Sequence, residues 1–422
     1  MVRAWYSLYG RLLNRAALDK AFNKVKSAKG AAGIDGQSIN DFAGHQQDNV
    51  DQLLAELRTK SYQPQAVRRV EIPKATGGVR LLGIPAVRDR VVQQALLDIL
   101  QPIFDPEFHP SSYGYRPGRS SHQAIGKATM FIREYDRKWV VDMDLSRCFD
   151  TLDHGLILRA FRKRIKDGSI LGLLEKFLKS GVMTGAGWQA SETGSPQGGV
   201  ISPLIANVYL DAFDQFMMSR GHRIVRYADD ILILSLSKKG AENALQQASR
   251  YLEEELLLTV NRDKTHICPS WNGVKFLGVS IHSGYTSIQQ EKIKGFKAKV
   301  KAMTRRNSPV NLAKVIHDLN PVLRGFANYF RIANCSRTLQ MLSAWLRRRL
   351  RAIQLKLWKK PQRLHRRLRQ LGYKGEFDAI RMNSWANAAS PLSHYALPNK
   401  YLHGELGLFD LSAVATGIPV SI

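Results

Sequence analysis

Cysteine is scarce: Cys148, Cys268 and Cys335 are the three in 422 residues. They are scattered, with no CxxC pair for zinc and no even framework for disulfides, which excludes a stapled secreted scaffold and a zinc-ribbon fold. They read as buried small hydrophobes in a reducing compartment. Long apolar runs are missing too. No stretch reaches the roughly 18 uninterrupted apolar residues of a spanning helix, and the opening MVRAWYSLYGRLLNR lacks a signal-peptide core. The expectation is a soluble, unexported protein with no membrane partner. Internal repeats and low-complexity linkers are also lacking, and with 44% apolar and 23% charged residues no tract is depleted enough to stay disordered.

Negative charge is the other shortage. Lys and Arg number 63 against 35 Asp and Glu, a net charge of +28. Self-repulsion of that size is costly unless a polyanion neutralises it, so nucleic acid is the leading partner. The imbalance is concentrated. Between Glu291 and Gln370 there are 22 Lys or Arg, and Glu291 and Asp318 are the sole acids, so this segment carries +20 of the total. Upstream, charges of both signs interleave with short apolar runs and helical patterns, as in an α+β catalytic region. At about 150 residues per domain the length allows two or three compact units. The boundary is expected near residues 283–291, where polar HSGYTSIQQEK follows the apolar strand candidate VKFLGVSIH.

Within the basic segment, Leu342, Trp345, Leu346, Leu350, Ile353, Leu357 and Trp358 recur at three- and four-residue steps. Arg347, Arg348, Arg349, Arg351, Lys356, Lys359 and Lys360 fill the intervening positions. This is the pattern of an amphipathic helix with one core stripe and a cationic face suited to a phosphate backbone.

Two places could hold chemistry. In HRIVRYADDILILSL, apolar and β-branched residues flank Tyr227, Ala228, Asp229 and Asp230, the pattern of a β-hairpin with adjacent carboxylates at its tip. Such a pair repels itself unless a divalent cation binds. In WVVDMDLSRCFDTLDH a strand-like run sets Asp142 and Asp144 on one face, since alternate residues of a strand point the same way. Two such strands side by side would converge their acids. Carboxylates of this kind can hold a pair of hard cations roughly 4 Å apart for nucleotidyl transfer.

The order of motifs completes the pattern. AAGIDG stands at 31–36, IPKATGGVRLLGIP at 72–85, SYGYRPGRS at 112–120 and DLSRCFD at 144–150. GSPQGGVISPLIANVYL follows at 194–210, RYADD at 226–230, LTVNRDKT at 258–265 and FLGVSI at 276–281. These resemble, in family order, the polymerase motifs of reverse transcriptases in the version carried by group II intron-encoded proteins. The resemblance spans about residues 30–370. It implies a right-hand polymerase of α+β class: fingers and palm over 1–283 with a small antiparallel palm sheet, an α-helical basic thumb or maturase domain (domain X) over 284–371, and a tail at 372–422 that closes the thumb.

The resemblance also implies roles. The family spacing from metal-binding aspartate to aromatic-Asp fits Asp144 with Phe149-Asp150, so two Mg²⁺ ions are expected on Asp144, the carbonyl of Leu145, Asp229 and Asp230, with Asp142 tuning the site. Phe149 corresponds to the ring under the incoming sugar that excludes a 2′-hydroxyl. Lys74 and Arg80 match the finger hairpin that clamps the triphosphate, Gln197 the PQGG contact to nucleotide and template, and Lys264 a lysine near the primer end or nucleotide. Tyr113, Arg116 and Arg119 lie in a loop similar to one that binds template or intron RNA. With Arg347, Arg348, Arg351, Lys356, Lys359 and Lys360 they form the expected RNA contacts.

The expected partners are group II intron RNA in a ribonucleoprotein, a DNA target and primer, and deoxynucleoside triphosphates, in a bacterial cytosol or nucleoid. The expected activity is RNA-directed DNA synthesis, with help to splicing and target-primed retromobility. Many relatives continue into a DNA-binding domain and an HNH endonuclease with cysteine pairs. From Gly372 onward there is no HxH or CxxC, and His394 and His403 are isolated, so the endonuclease-lacking type is expected. Two rivals share most of these residues: a maturase acting only as an RNA-folding partner, and a domesticated or defence-associated reverse transcriptase without an intron. Intact Asp144, Asp229 and Asp230 oppose the first.

Overall fold

The computed structural model describes residues 4–73, 79–184, 187–190, 192–195, 198–307, 310–357, 361–372, 374, 388 and 391–417. The chain forms two compact units, Met1–Pro269 and Ser270–Ile422. Among the described residues, no helix is long and apolar enough to cross a membrane.

The first unit carries two four-stranded sheets. One is built from β1 (Val67–Pro73), β2 (Val79–Ile84), β4 (Val182–Thr184) and β5 (Gly187–Gln189), in the order β2-β1-β4-β5. The other has the order β6-β7-β3-β8, with β3 at Trp139–Met143, β6 at Arg223–Tyr227, β7 at Asp230–Ser235 and β8 at His266–Pro269, all antiparallel. The inner strands read Val140-Val141 and Ile231-Leu232-Ile233-Leu234 without polar alternation, and every one of these side chains is buried. Such a run suits a sheet covered on both faces, where each aliphatic side chain contributes about 1.5–3 kcal/mol on leaving water. Helices Ser121–Arg133, α1 (Ser202–Ser219) and Lys238–Arg250 pack on it. Pro203 stands in the first turn of α1, where its missing N–H costs nothing.

The second unit opens on a three-stranded antiparallel sheet, β9 (Val274–Phe276), β10 (Val279–Ile281) and β11 (Thr286–Ile288), with β10 in the middle. Here the structure differs from the boundary read near 283–291. Leu277 and Gly278, both at positive φ, form a two-residue turn that folds β10 onto β9. The polar-looking TSI segment is the third strand, and Asn334 exchanges two hydrogen bonds with Thr286. The break therefore falls after Pro269, ahead of this sheet.

Helices follow: Gln290–Met303, α2 (Leu312–Phe330), α3 (Ser336–Leu357) and Pro361–Gln370. In α3 the stripe Leu339, Leu342, Leu346, Leu350 and Ile353 is buried, as its spacing predicts. The described part of the tail folds back on this unit. Leu397, Leu402, Leu408 and Leu411 are buried, Asn320 of α2 bonds the Gly407 carbonyl and the Phe409 N–H, and Ser343 of α3 donates to Asp410. The architecture is mixed α+β, with small antiparallel sheets and a helical C-terminal region.

Candidate active site

β6 and β7 pair Tyr227 with Asp230, which leaves Ala228-Asp229 as a two-residue turn. Such turns need positive φ, and Ala228 adopts +60° although it is not glycine. Asp229 is thereby set at the tip and Asp230 at the head of β7. On the neighbouring strand the last pair is Met143 with Ile231. One step further along the two strands come Asp144 and Asp230, close enough for Asp144 to raise the Asp230 pKa. Asp142, two residues back on the same face, pairs with Leu232 on one side and His266 on the other.

The segment after the hairpin holds Asp144 in place. Asn261 donates from Nδ2 to Asp144 Oδ2 at 2.9 Å, and Lys264 Nζ lies 3.3 Å from the same oxygen. The backbone of Asp144 is held as well: its N–H donates to Thr265 Oγ1 at 3.2 Å and its carbonyl accepts from the Asn261 N–H at 2.9 Å. Leu145 forms a bridge with Val260 whose hydrogen bonds use the Asp144 carbonyl and the Ser146 N–H, so the Leu145 carbonyl takes no part in that bridge.

The charge balance at this cleft is strongly negative. Asp230 reaches solvent, yet the protein around it and then Asp229, Asp142 and Asp144 push its pKa up to about 6. Burial does the same to Asp142, against a lowering by His266. The Cys148 thiol is pushed up to about 12 by burial and then by Asp229. These hard oxygen donors suit a divalent cation such as Mg²⁺. Among the described residues no three His, Cys, Asp or Glu side chains close into a ready-made metal cage.

A pH dependence follows from the raised values. Up to about pH 6 the Asp230 carboxyl is neutral and cannot ligate metal, and Asp142 beside it is neutral too and adds no negative charge to the site. The Mg²⁺ concentration for half-maximal primer extension should therefore rise as pH falls from about 7.5 to about 5.5. A flat Mg²⁺ requirement over that range would contradict the assignment. The same shift has the opposite sense for stability. Folded protein retains protons that the unfolded chain loses between about pH 4 and about pH 6, so these two groups make the fold less stable as pH rises through that window.

Phe149 sits in the 3₁₀ turn Cys148–Asp150, buried in the core, with its ring edge-on to the half-exposed Tyr115 at 6.3 Å between centroids. Lys74 and Gln197 lie outside the described residues. Arg80 pairs with Ile72 in the β1–β2 hairpin, and its side chain is likewise outside them. Next to Gln197, Gly198 has φ of +119°, and a Cβ there would come within 2.4 Å of the Gly83 carbonyl, so this loop runs hard against β2.

Residues 72–281 match the family of reverse transcriptases (RNA-dependent DNA polymerases), and residues 293–372 match the group II intron maturase-specific domain. YkfC of Escherichia coli K12 is 35% identical over an alignment of 334 residues that covers 68% of this chain and 88% of YkfC. The chain belongs to the group II intron reverse transcriptase–maturase family. The intron-encoded protein LtrA of Lactococcus lactis is 36% identical over half of this chain and 35% of LtrA. The putative COX1/OXI3 intron 2 protein of Saccharomyces cerevisiae is 29% identical over 62% of this chain and 37% of that protein. The chain thus spans most of YkfC and little more than a third of the other two.

All four aspartates lie in the region matching reverse transcriptases, and α3 lies in the region matching the maturase-specific domain. The expected RNA contacts divide. Tyr113 and Arg116 are buried, and Arg116 spends its guanidinium on Asp105 and on the carbonyls of Asp105, His109 and Ser112. Arg351 is buried too, donating to the Leu397 carbonyl at 2.9 Å and to Asn399 Oδ1 at 2.8 Å. Arg116 and Arg351 are corrected to structural roles, because side chains with their donors inside the fold have none left for phosphate, and Tyr113 is corrected likewise, since its ring is buried with the Arg119 guanidinium over it. Arg119, Arg348 and Lys356 are exposed, and Arg347 is half-buried with Nη1 on Ser343. Lys359 and Lys360 lie outside the described residues. Sequence reading missed Asn261 and Thr265, which stand in the same NRDKT motif as Lys264. It also missed Asn207 and Asp214, polar residues seven apart in a mostly apolar helix, a spacing that signals a buried polar stripe.

Proposed function

We propose that this maturase is an RNA-directed DNA polymerase that adds deoxynucleotides to a primer 3′-end and grips group II intron RNA through its basic helical unit to assist splicing and target-primed mobility. The observation that carries the polymerase reading is Asp144, one step past the Met143–Ile231 pair, beside Asp230 and the Asp229 of the hairpin tip. Asp144, the Leu145 carbonyl, Asp229 and Asp230 would hold two Mg²⁺ ions. Bound there, such ions supply Lewis-acid activation of the primer hydroxyl and charge stabilisation at the phosphates.

The chain's own residues do the rest. Asn261 fixes the orientation of the Asp144 carboxylate. Lys264 places an exposed ammonium beside it, available to an incoming phosphate. Phe149 offers a flat wall against the sugar, and its replacement by valine is expected to let ribonucleotides in, lowering discrimination by roughly 10- to 100-fold. Single-nucleotide incorporation with each sugar type measures this, and unchanged discrimination would leave Phe149 a core residue. Exposed Arg119, Arg348 and Lys356 are the side chains proposed to meet RNA phosphates.

Primer extension on an RNA template tests the whole reading. Extension with deoxynucleotides and Mg²⁺, lost in excess chelator and restored by added Mg²⁺, is the expected result. Purified protein that binds intron RNA and aids its splicing but never extends a primer would show the RNA-folding role to stand alone.

A further inference from the structure

The turn that presents Asp229 is held by residues to which no role has been given so far. Arg226 and Asp214 are both 0% exposed. Arg226 donates Nε and Nη2 to the Asp214 carboxylate at 2.9 and 2.6 Å. The remaining nitrogen, Nη1, splits between Asn207 Oδ1 and the Ala228 carbonyl, each at 3.0 Å. Asn207 then donates from Nδ2 to the Gly114 carbonyl at 2.9 Å. Gly114 is pressed on the turn itself, since a Cβ there would lie 2.3 Å from the Ala228 nitrogen. The backbone of Arg226 is fastened as well, its N–H to Ser111 and its carbonyl to the Tyr113 N–H, both at 2.9 Å.

A buried ion pair stabilises a fold little better than apolar residues of the same volume. A left-handed alanine is strained, and such strain persists only where its surroundings over-determine it. Both features make sense together if the pair serves geometry. Beyond Asp214 and Asn207 the Arg226 guanidinium makes a further bond, and that bond lands on the carbonyl of the strained residue, one position before Asp229.

We infer that Asp214, Arg226 and Asn207 form a buried positioning relay that locks the left-handed Ala228 turn and so sets the direction of Asp229 and Asp230. This rests on the polymerase reading of those two aspartates. The relay acts on the rate and the divalent-cation requirement of extension, and leaves nucleotide and RNA affinity alone, because none of its three members reaches the cleft.

The test is the double variant Asp214→Leu/Arg226→Met in the full chain. It replaces the pair by apolar volume, so folding is expected to survive, while the bond to the Ala228 carbonyl is gone. The melting temperature and the Kd for RNA should stay near parental. The maximal extension rate should drop on the order of 100-fold, as for an ångström-scale misplacement of reacting groups, with a higher half-saturating Mg²⁺ and an unchanged nucleotide KM. Parental rate and Mg²⁺ requirement in the folded double variant would overturn the relay. Asn207→Ala supplies a milder variant should the double one not fold. It is expected to lower the rate about tenfold at near-parental melting temperature, and a parental rate would again overturn the proposal. Asp229→Asn in the same assay separates the two levels. If it extends at full rate, the reading of the acids fails; if it is dead while the folded relay variants extend like the parent, only the relay fails.

Discussion

Asp229→Asn is expected to reduce cDNA synthesis by about 1,000-fold or more while RNA binding stays nearly unchanged. Removing one anionic ligand forfeits several kcal/mol of transition-state charge stabilisation, and about 4 kcal/mol corresponds to that factor. The substitution is nearly isosteric, so the hairpin should keep its shape. Stability should move the other way. Asp229 is, after burial, the next cause that raises the Asp230 pKa, so its neutralisation relieves repulsion and should bring Asp230 back toward its ordinary range. A modest gain in melting temperature beside a dead polymerase is the expected pair of results. Primer extension, filter binding and a thermal melt on one preparation measure all three. Extension at the parental rate would remove Asp229 from the active site.

Arg351→Ala and the pair Arg348→Gln/Lys356→Gln should separate two jobs that look alike along α3. Arg351 is buried, its pKa held down to about 10 by burial and then by Arg347, so it remains charged at neutral pH. Its bonds to the Leu397 carbonyl and Asn399 fasten the tail to α3. Truncation to alanine leaves a cavity and two buried acceptors without their donor, and should destabilise the second unit by about 3 kcal/mol. Urea unfolding reads this directly. The salt dependence of RNA binding, measured where the variant is folded, should be unaffected. Arg348 and Lys356 face solvent, and replacing both should lower the log–log salt slope by about 1.4 at roughly 0.7 per phosphate contact, with no change in unfolding. If the double variant keeps the parental slope, this face of the helix is merely solvated.

The contrast between Arg351 and Arg348 also marks how far local pattern reaches. Helical periodicity identified α3, its apolar stripe and its cationic surface, because those depend on neighbours three and four residues away. It grouped Arg351 with the surface arginines, since what buries Arg351 is a tail some 46 positions later in the chain. Arg116 repeats the lesson. A Gly- and Pro-rich loop with an exposed look encloses an arginine whose partners at Asp105 and His109 are met only when the loop folds.

The proposed active-site acids lie at the legible end. Strand alternation set Asp142 and Asp144 on one face, and the hairpin pattern around Tyr227–Asp230 placed Asp229 in a turn, both consequences of backbone geometry over a few residues. The motifs carried the family as well, since identity and spacing of residues are properties of the linear chain. The tertiary structure decided what depends on distant segments meeting. It brought Asp144 beside Asp230, and set Asn261 and Lys264 on the Asp144 carboxylate. It drew the unit boundary after Pro269, because TSI pairs into a sheet with strands that the polar stretch seemed to leave behind. It also joined Asp214 of α1 to Arg226 of β6. Local periodicity specifies which face a residue occupies; which partner waits on that face is set by the packing of elements far apart in the chain.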